Sequence, residues 1–331
     1  VPKAYGLRRL SDLRRKPAAA TNDQELPGPA AARHNAAADP RFAHIPPDRW
    51  ETQHLGGAMQ ARKIKLEVRN VQKTFRIRGE NGEGEAFLRV LGGINFNVFE
   101  NEIVSLIGES GCGKTTLLRI VQGLIRRDAG DIRVDGKDVT APGRDRGFVF
   151  QQSTMLPWRT ARQNVEFGLE MAGTPRSVRR ETAQNLLALV GLTHAQELYP
   201  HELSGGMQQR VNLARAMAID PSILLMDEPF SALDAQTREV LQKELLRIQA
   251  EANKTILFVT HDLDEAIYLS NRVVVLGAKP GRVKTIIEIP FGANRPDLPE
   301  LRGNPEFQRI RAQMWDLIRN KAEDAPLAAA V

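Results

Sequence analysis

The sequence predicts an α/β fold with a parallel-sheet core, an antiparallel β subdomain on its N-terminal side and a helical subdomain inserted into the core. Three observations predict it. The runs Ile103-Val104-Ser105-Leu106-Ile107, Ile223-Leu224-Leu225-Met226 and Thr255-Ile256-Leu257-Phe258-Val259-Thr260 are strand-sized and too apolar for a sheet with a wet face. Before them, Ile64, Leu66, Val68 and Val71 alternate with charged residues, the mark of a half-buried antiparallel strand. Between Gln151 and residue 223 no strand signal occurs, while helical spacing covers about 164–171 and 181–190.

Taken in order, residues 1–60 are rich in Ala, Pro and Arg, lack a sustained hydrophobic period and carry turn residues such as Leu26-Pro27-Gly28-Pro29, so a disordered extension is expected. No apolar stretch of signal-peptide length follows Arg8-Arg9 or Arg14-Arg15-Lys16. After the first strand, Gly79-Glu80-Asn81-Gly82-Glu83-Gly84 turns the chain, and two strands are expected near 87–91 and 94–98. Asp135-Gly136 predicts a hairpin between Ile132 and Val139. The strand Phe148-Val149-Phe150 ends at Gln151, and a helical subdomain occupies about 155–220. A helix over 236–252, the strand that ends at His261, and strands over 272–276 and 283–289 complete the core. The tail, 291–331, carries an amphipathic helix: Asn304 caps it, Pro305 takes its first position, and Phe307, Ile310, Met314, Leu317 and Ile318 fall on one face.

Composition narrows the function classes. With 42% hydrophobic and 26% charged residues among 331, the chain reads as an ordinary globular protein. No apolar run reaches the roughly 18 residues of a membrane helix, so a membrane role must come through a partner. The net charge is +6, but acidic and basic residues interleave, which predicts a mixed surface and no nucleic-acid partner. Cys112 is the only cysteine, so no disulfide forms within the chain, which fits a reducing cytosol.

The chemistry centres on Gly108-Glu109-Ser110-Gly111-Cys112-Gly113-Lys114-Thr115, entered by an apolar strand and left by the helical run from Thr116. Glycines let backbone N–H groups turn inward around an anion, the helix N-terminus adds partial positive charge, and Lys114 supplies a point charge for outer phosphates. Thr115 can hold Mg²⁺ through its hydroxyl. The stretch predicts a nucleoside triphosphate site. Cys112 lies where a helix N-terminus lowers a thiol pKa and raises its reactivity; a small residue that fills space is the other reading. Asp227-Glu228 follows an all-apolar strand, which sets acid at the ligand crevice. The stretch resembles a Walker B element, which implies that the first acid serves Mg²⁺ and the second an attacking water. In Leu203-Ser204-Gly205-Gly206-Met207-Gln208-Gln209-Arg210, Ser204 is a good N-cap and the glycines expose backbone N–H groups, making a second anion-binding helix end.

The second stretch, set beside the first, resembles the signature motif of ATP-binding cassette (ABC) ATPases. Gln151 resembles that family's Q-loop glutamine, Ser231-Ala232-Leu233-Asp234 its D-loop, His261 its switch histidine and Phe75 its adenine-stacking aromatic. The resemblance covers about 62–290, so a cassette domain is expected over 61–290, with a P-loop NTPase (RecA-like) core. Glu109 stands where the family commonly has proline, and Asn101-Glu102 where it commonly has Gly-Glu.

The resemblance implies ATP and Mg²⁺ as cofactors. ATP would contact Phe75 and residues 108–116 (Gly108, Glu109, Ser110, Gly111, Cys112, Gly113, Lys114, Thr115 and Thr116). Thr115, Gln151 and Asp227 would serve Mg²⁺, Glu228 would activate water, and His261 would contact the γ-phosphate. Ser204, Gly205, Gly206, Met207 and Gln208, with Asp234, would complete a second chain's site in a homodimer. Leu156-Pro157-Trp158, Ala278-Lys279-Pro280-Gly281-Arg282 and the tail look like the ATPases of bacterial importers for nitrate, sulfonates and taurine. That implies integral permease subunits as partners, a periplasmic or extracellular solute-binding protein reached only through them, and a peripheral place on the cytoplasmic face of the inner membrane. Rival readings are an exporter ATPase, a soluble ABC ATPase of DNA repair or translation, and a P-loop kinase, which would leave the signature stretch and His261 unused.

Overall fold

A computed structural model describes residues 62–78, 85–292 and 295–319; the expected extension and the glycine loop at 79–84 lie outside them. The chain divides into Val1–Ala61 and Arg62–Val331, and the architecture below is that of the second unit. Its elements are β1 (Ile64–Arg78), β2 (Glu85–Phe99), β3 (Ile103–Gly108), α1 (Lys114–Gln122), β4 (Ala129–Val134), β5 (Lys137–Asp138), β6 (Arg146–Val149), α2 (Ala161–Met171), α3 (Arg176–Leu189), α4 (Gly205–Ala218), β7 (Ile223–Asp227), α5 (Ala235–Ala252), β8 (Thr255–Val259), α6 (Leu263–Leu269), β9 (Arg272–Gly277), β10 (Arg282–Glu288), α7 (Leu298–Leu301) and α8 (Pro305–Arg319).

Two sheets result. One is antiparallel, in the order β2-β1-β4-β5; the other runs β10-β9-β3-β8-β7-β6, parallel throughout except for the edge strand β10. The apolar strands β3, β7, β8 and β9 are buried along their whole length. Their two faces feed two cores by strict alternation. Ile103, Ile107, Leu224, Met226, Ile256, Phe258, Val273 and Val275 join the core shared with the helical subdomain and α8. Val104, Leu106, Ile223, Leu225, Leu257, Val259, Val274 and Leu276 join the core under α1 and the antiparallel sheet. Both faces being dry explains why these strands read as continuous apolar runs.

Register positions the site. β3 lies between β8 and β9, and Leu106 pairs with Val259 while Asp227 pairs with the same residue from the other side. The loops that leave β3, β7 and β8 at their carboxyl ends therefore emerge side by side.

The two strands expected near 87–91 and 94–98 are one strand, β2. Its ladder with β1 shifts register between Lys73 and Thr74 and again around Val71, so bulges absorb the irregularity that a sequence pattern reads as a break. Asp135 and Gly136 turn the predicted hairpin with φ of +49° and +74°. Asn101 takes φ +61°, a left-handed turn that Asn tolerates in the place of Gly, and Glu102 is buried in an ion pair with Arg272 at 2.6 Å. The departure at Asn101 thus fits its left-handed turn, and the Glu102 that follows it has a structural partner. At the tail, Asn304 Oδ1 accepts from Glu306 N at 2.8 Å, and Phe307, Ile310 and Met314 are buried against α6 and β9. The short α7, opened by a proline, had no sequence signal of its own.

Candidate active site

The loop between β3 and α1 builds the floor of a cavity of about 610 Å³ lined by Val90, Gly108, Ser110, Gly111, Gly113, Lys114, Thr115, Thr116, Glu228 and His261. Gly113 is the N-cap of α1 at φ +94°, and a Cβ there would lie 2.6 Å from Leu91 Cδ2, so glycine is required by conformation and by space. No side chain caps α1, which leaves its first N–H groups to the cavity. Lys114 is buried and donates to the carbonyls of Gly108 at 2.8 Å and Glu109 at 3.0 Å, which holds its ammonium inside the loop.

Cys112 corrects one expectation. It is fully buried, with Sγ packed under the loop 3.8 Å from Lys114 Nζ, and burial pushes the thiol pKa up despite the neighbouring cation. The helix terminus does not activate it. Native protein should therefore resist maleimide with and without nucleotide and label only on unfolding; rapid labelling of folded protein, read by mass spectrometry, contradicts this.

Thr115 donates its hydroxyl to Asp227 Oδ1 at 3.0 Å, joining α1 to the end of β7. Asp227 is buried, and burial raises its pKa, partly offset by the Thr115 hydrogen bond and by the charges of Arg119 and Lys114. A carboxyl whose folded pKa is raised binds protons more tightly folded than unfolded, so near pH 7 its charge costs stability, and that cost fades as pH falls. Asp227→Asn keeps the acceptor and removes the charge. It should raise the melting temperature of nucleotide-free protein at pH 7, and the gain should shrink as pH falls toward the carboxyl range; a lower melting temperature at pH 7 contradicts this.

Glu228 holds a left-handed backbone at φ +45°, uncommon for a side chain of its size. Neighbours fix it: Glu228 N donates to Val259 O at 3.0 Å, and Ser231 donates to Glu228 O from its backbone N at 3.2 Å and its hydroxyl at 3.0 Å. Its Oε2 sits 3.2 Å from His261 Nδ1 and accepts from Gln151 Nε2, also at 3.2 Å. Gln151 donates to Ser231 Oγ as well, at 3.3 Å. The carboxylate is thus aimed from two sides at the cavity it lines, where it can take a proton from water. Gln151 is gathered to Glu228, and no contact joins it to the Thr115–Asp227 pair.

The remaining candidates lie elsewhere. Ser204 caps α4 by accepting from Met207 N at 3.3 Å, as expected, and Ser204 and Gly205 are exposed. A Cβ on Gly206 would lie 2.6 Å from Thr237 Cγ2, so α4 and α5 approach closely there. Asp234 caps α5, accepting from Thr237 N at 3.0 Å. None of residues 204–208 lines the cavity. Phe75 is half-buried on β1 beneath Lys73 and does not line it either. Val90 was not picked out from sequence; it reaches the cavity only through the pairing of β2, which no local pattern encodes.

A glycine loop and lysine at the end of a central parallel strand, with an acidic pair at the end of a neighbouring one, define a P-loop nucleotide-binding α/β protein. The family model described as "ABC transporter" matches residues 91–231. An uncharacterized ABC transporter ATP-binding protein of Methanocaldococcus jannaschii is 49% identical over 78% of this chain and 93% of its own length. The nitrate import ATP-binding protein NrtD of Synechocystis is 41% identical over 81% of this chain and 100% of its own. The taurine import ATP-binding protein TauB of Roseobacter denitrificans is 40% identical over 78% and 96%. The solved structure described as a dimeric post-hydrolysis state of the ATP-binding cassette MJ0796 bound to ADP and Pi matches with TM-score 0.59 and 34% identity, over 68% of this chain and 98% of that one. This chain belongs to the family of ABC transporter ATP-binding proteins and is an ATPase of that family.

Proposed function

We propose that this chain is the ATP-hydrolysing subunit of an importer for a small anion of the sulfonate, taurine or nitrate class, and that it works as a homodimer on permease subunits. The observation that carries the dimer is the exposed helix end at Ser204 and Gly205, which presents N–H groups to solvent and stands apart from the phosphate cavity of its own chain. Two chains placed head to tail supply each cavity with a second anion-binding terminus beside that of α1. That the similar cassette MJ0796 is dimeric supports a dimer. The names of the nitrate and taurine relatives support the cargo class.

In this reading the loop amides and Lys114 bind the phosphates and Phe75 stacks on adenine. Glu228 accepts a proton from the attacking water, with His261 and Gln151 orienting it. Ser204, Gly205, Gly206, Met207 and Gln208 close the partner's site, with Asp234 at the dimer contact. The oxygen donors of Thr115 and Asp227 suit Mg²⁺, and no cluster of three or more His, Cys, Asp or Glu exists among the described residues, so phosphate and water would fill its other positions. That ion would neutralise charge on the transferring phosphate. Gln151 would join them only by turning away from Glu228.

No described helix is long and apolar enough to cross a membrane. In this reading the chain attaches to the cytoplasmic face of the inner membrane through its permease, which the importer names of the nitrate and taurine relatives support. Phe150 and Trp158, on either side of Gln151 in sequence, are both exposed and offer that partner an apolar surface. A solute-binding protein is engaged only through the permease. The test is genetic and biochemical together. Deleting the gene should abolish growth on the anion as sole nitrogen or sulfur source, and the tagged chain should co-purify with integral membrane proteins. Normal growth on all such anions removes the cargo assignment, and recovery with ribosomes or DNA removes the transporter.

A further inference from the structure

Asp128, in the turn before β4, is bound to β1 at three points. Asp128 N donates to Gln72 O at 3.0 Å, Asp128 Oδ2 accepts from Thr74 N at 2.6 Å, and Asp128 Oδ1 accepts from Lys73 Nζ at 2.7 Å. The turn is itself held by Arg127, whose guanidinium donates to the carbonyls of Gly130 at 2.7 Å and Val139 at 2.5 Å. Lys73 is largely buried although charged, with its side chain 14% exposed, and its ammonium stands 5.2 Å from the centroid of the Phe75 ring. That is within cation–π range. One face of Phe75 is therefore occupied by a cation that a carboxylate fixes in place.

The other end of the argument is where this face of β1 looks. Lys73 pairs with Leu91 of β2, and paired residues share a face of the sheet. Leu91 Cδ2 and its neighbour Val90 Cγ1 lie 2.6 and 3.1 Å from a Cβ built on Gly113, in the phosphate loop. Val90 also lines the cavity. Lys73 and Phe75, two apart on β1 and in contact, thus stand on the side of the antiparallel sheet that meets the loop.

We propose that Lys73 and Asp128 are nucleotide-positioning residues, which fix the Phe75 ring by its cation-covered face and so present its other face to the base. This rests on the reading of Phe75 as the base-stacking residue. A ring already held in its bound orientation loses less freedom when the base arrives, and a cation behind it draws electron density away from the stacking face. A plain structural tie between β1 and the turn would not distinguish the base from the phosphates.

The experiment compares ATP with inorganic tripolyphosphate, which fills the phosphate loop and has no base. Binding of each is measured by calorimetry on the full chain and on Lys73→Met, Lys73→Arg, Asp128→Asn and Phe75→Ala, each checked for folding by its melting temperature. Asp128→Asn keeps the acceptor for Thr74 N and serves if Lys73→Met does not fold. Lys73→Met and Asp128→Asn should weaken ATP by about three- to tenfold and leave tripolyphosphate unchanged, with Lys73→Arg close to the parent. If Phe75→Ala weakens ATP selectively while Lys73→Met and Asp128→Asn do not, this proposal fails and the stacking role stands. If Phe75→Ala has no selective effect, both fail. Equal weakening of ATP and tripolyphosphate by Lys73→Met also overturns it, because the lysine then acts on the phosphates.

Discussion

Glu228→Gln should lower single-turnover ATP hydrolysis by about 10² to 10⁴ while leaving ATP affinity near that of the parent. The substitution keeps size, the Ser231 contacts to the backbone carbonyl and the left-handed turn, none of which uses the carboxylate. It removes the one lining group of the cavity that can accept a proton from water while held from two sides, by His261 and Gln151. A general base acts only in the transition state, so the rate should fall without a matching loss of binding. Hydrolysis at the parent rate would remove Glu228 from this role and direct attention to His261.

Lys114→Ala should fail at an earlier step. The ammonium is the sole cationic side chain lining the cavity among the described residues, and it is buried in the loop. A hydrogen bond to a charged group contributes about 1.5 to 3 kcal/mol, so losing it should raise the Kd for ATP by about 10- to 100-fold. The carbonyls of Gly108 and Glu109 also lose their donor, so some melting temperature should go with it. Calorimetry at a temperature where the variant is folded separates the two effects. Parent-like affinity would show that the amides of the loop alone bind the phosphates.

Much of this was legible because the chemistry of a phosphate loop is local. The strand, glycines, lysine and following helix are contiguous, and strands buried on two faces announce themselves as apolar runs. The capped helices at Ser204 and Asn304 were likewise written in short-range patterns. What escaped was set by distant pairing. β2 reads as two strands because bulges in its ladder with β1 break its period, and the same ladder carries Val90 to the cavity. Cys112 left two readings open, an activated thiol or a space-filling residue, because its helix end is visible in sequence whereas much of the core that buries it comes from strands far along the chain. Gln151 and Asp227 are 76 residues apart by number, and nothing local says that Gln151 turns to Glu228 and not to the Thr115–Asp227 pair.

The central claim is that the exposed helix end at Ser204 completes the cavity of a second chain. Size-exclusion chromatography with light scattering on Glu228→Gln tests it most directly, because that variant should hold ATP without consuming it. Without nucleotide it should elute at the monomer mass of 36.8 kDa. With saturating MgATP it should move to twice that mass with one ATP per chain. Adding Ser204→Arg, which sets a bulky cation on the α4 terminus, should abolish the shift while each monomer still binds ATP. A folded, ATP-saturated Glu228→Gln that stays monomeric, or a double variant that dimerises equally well, would contradict the composite site.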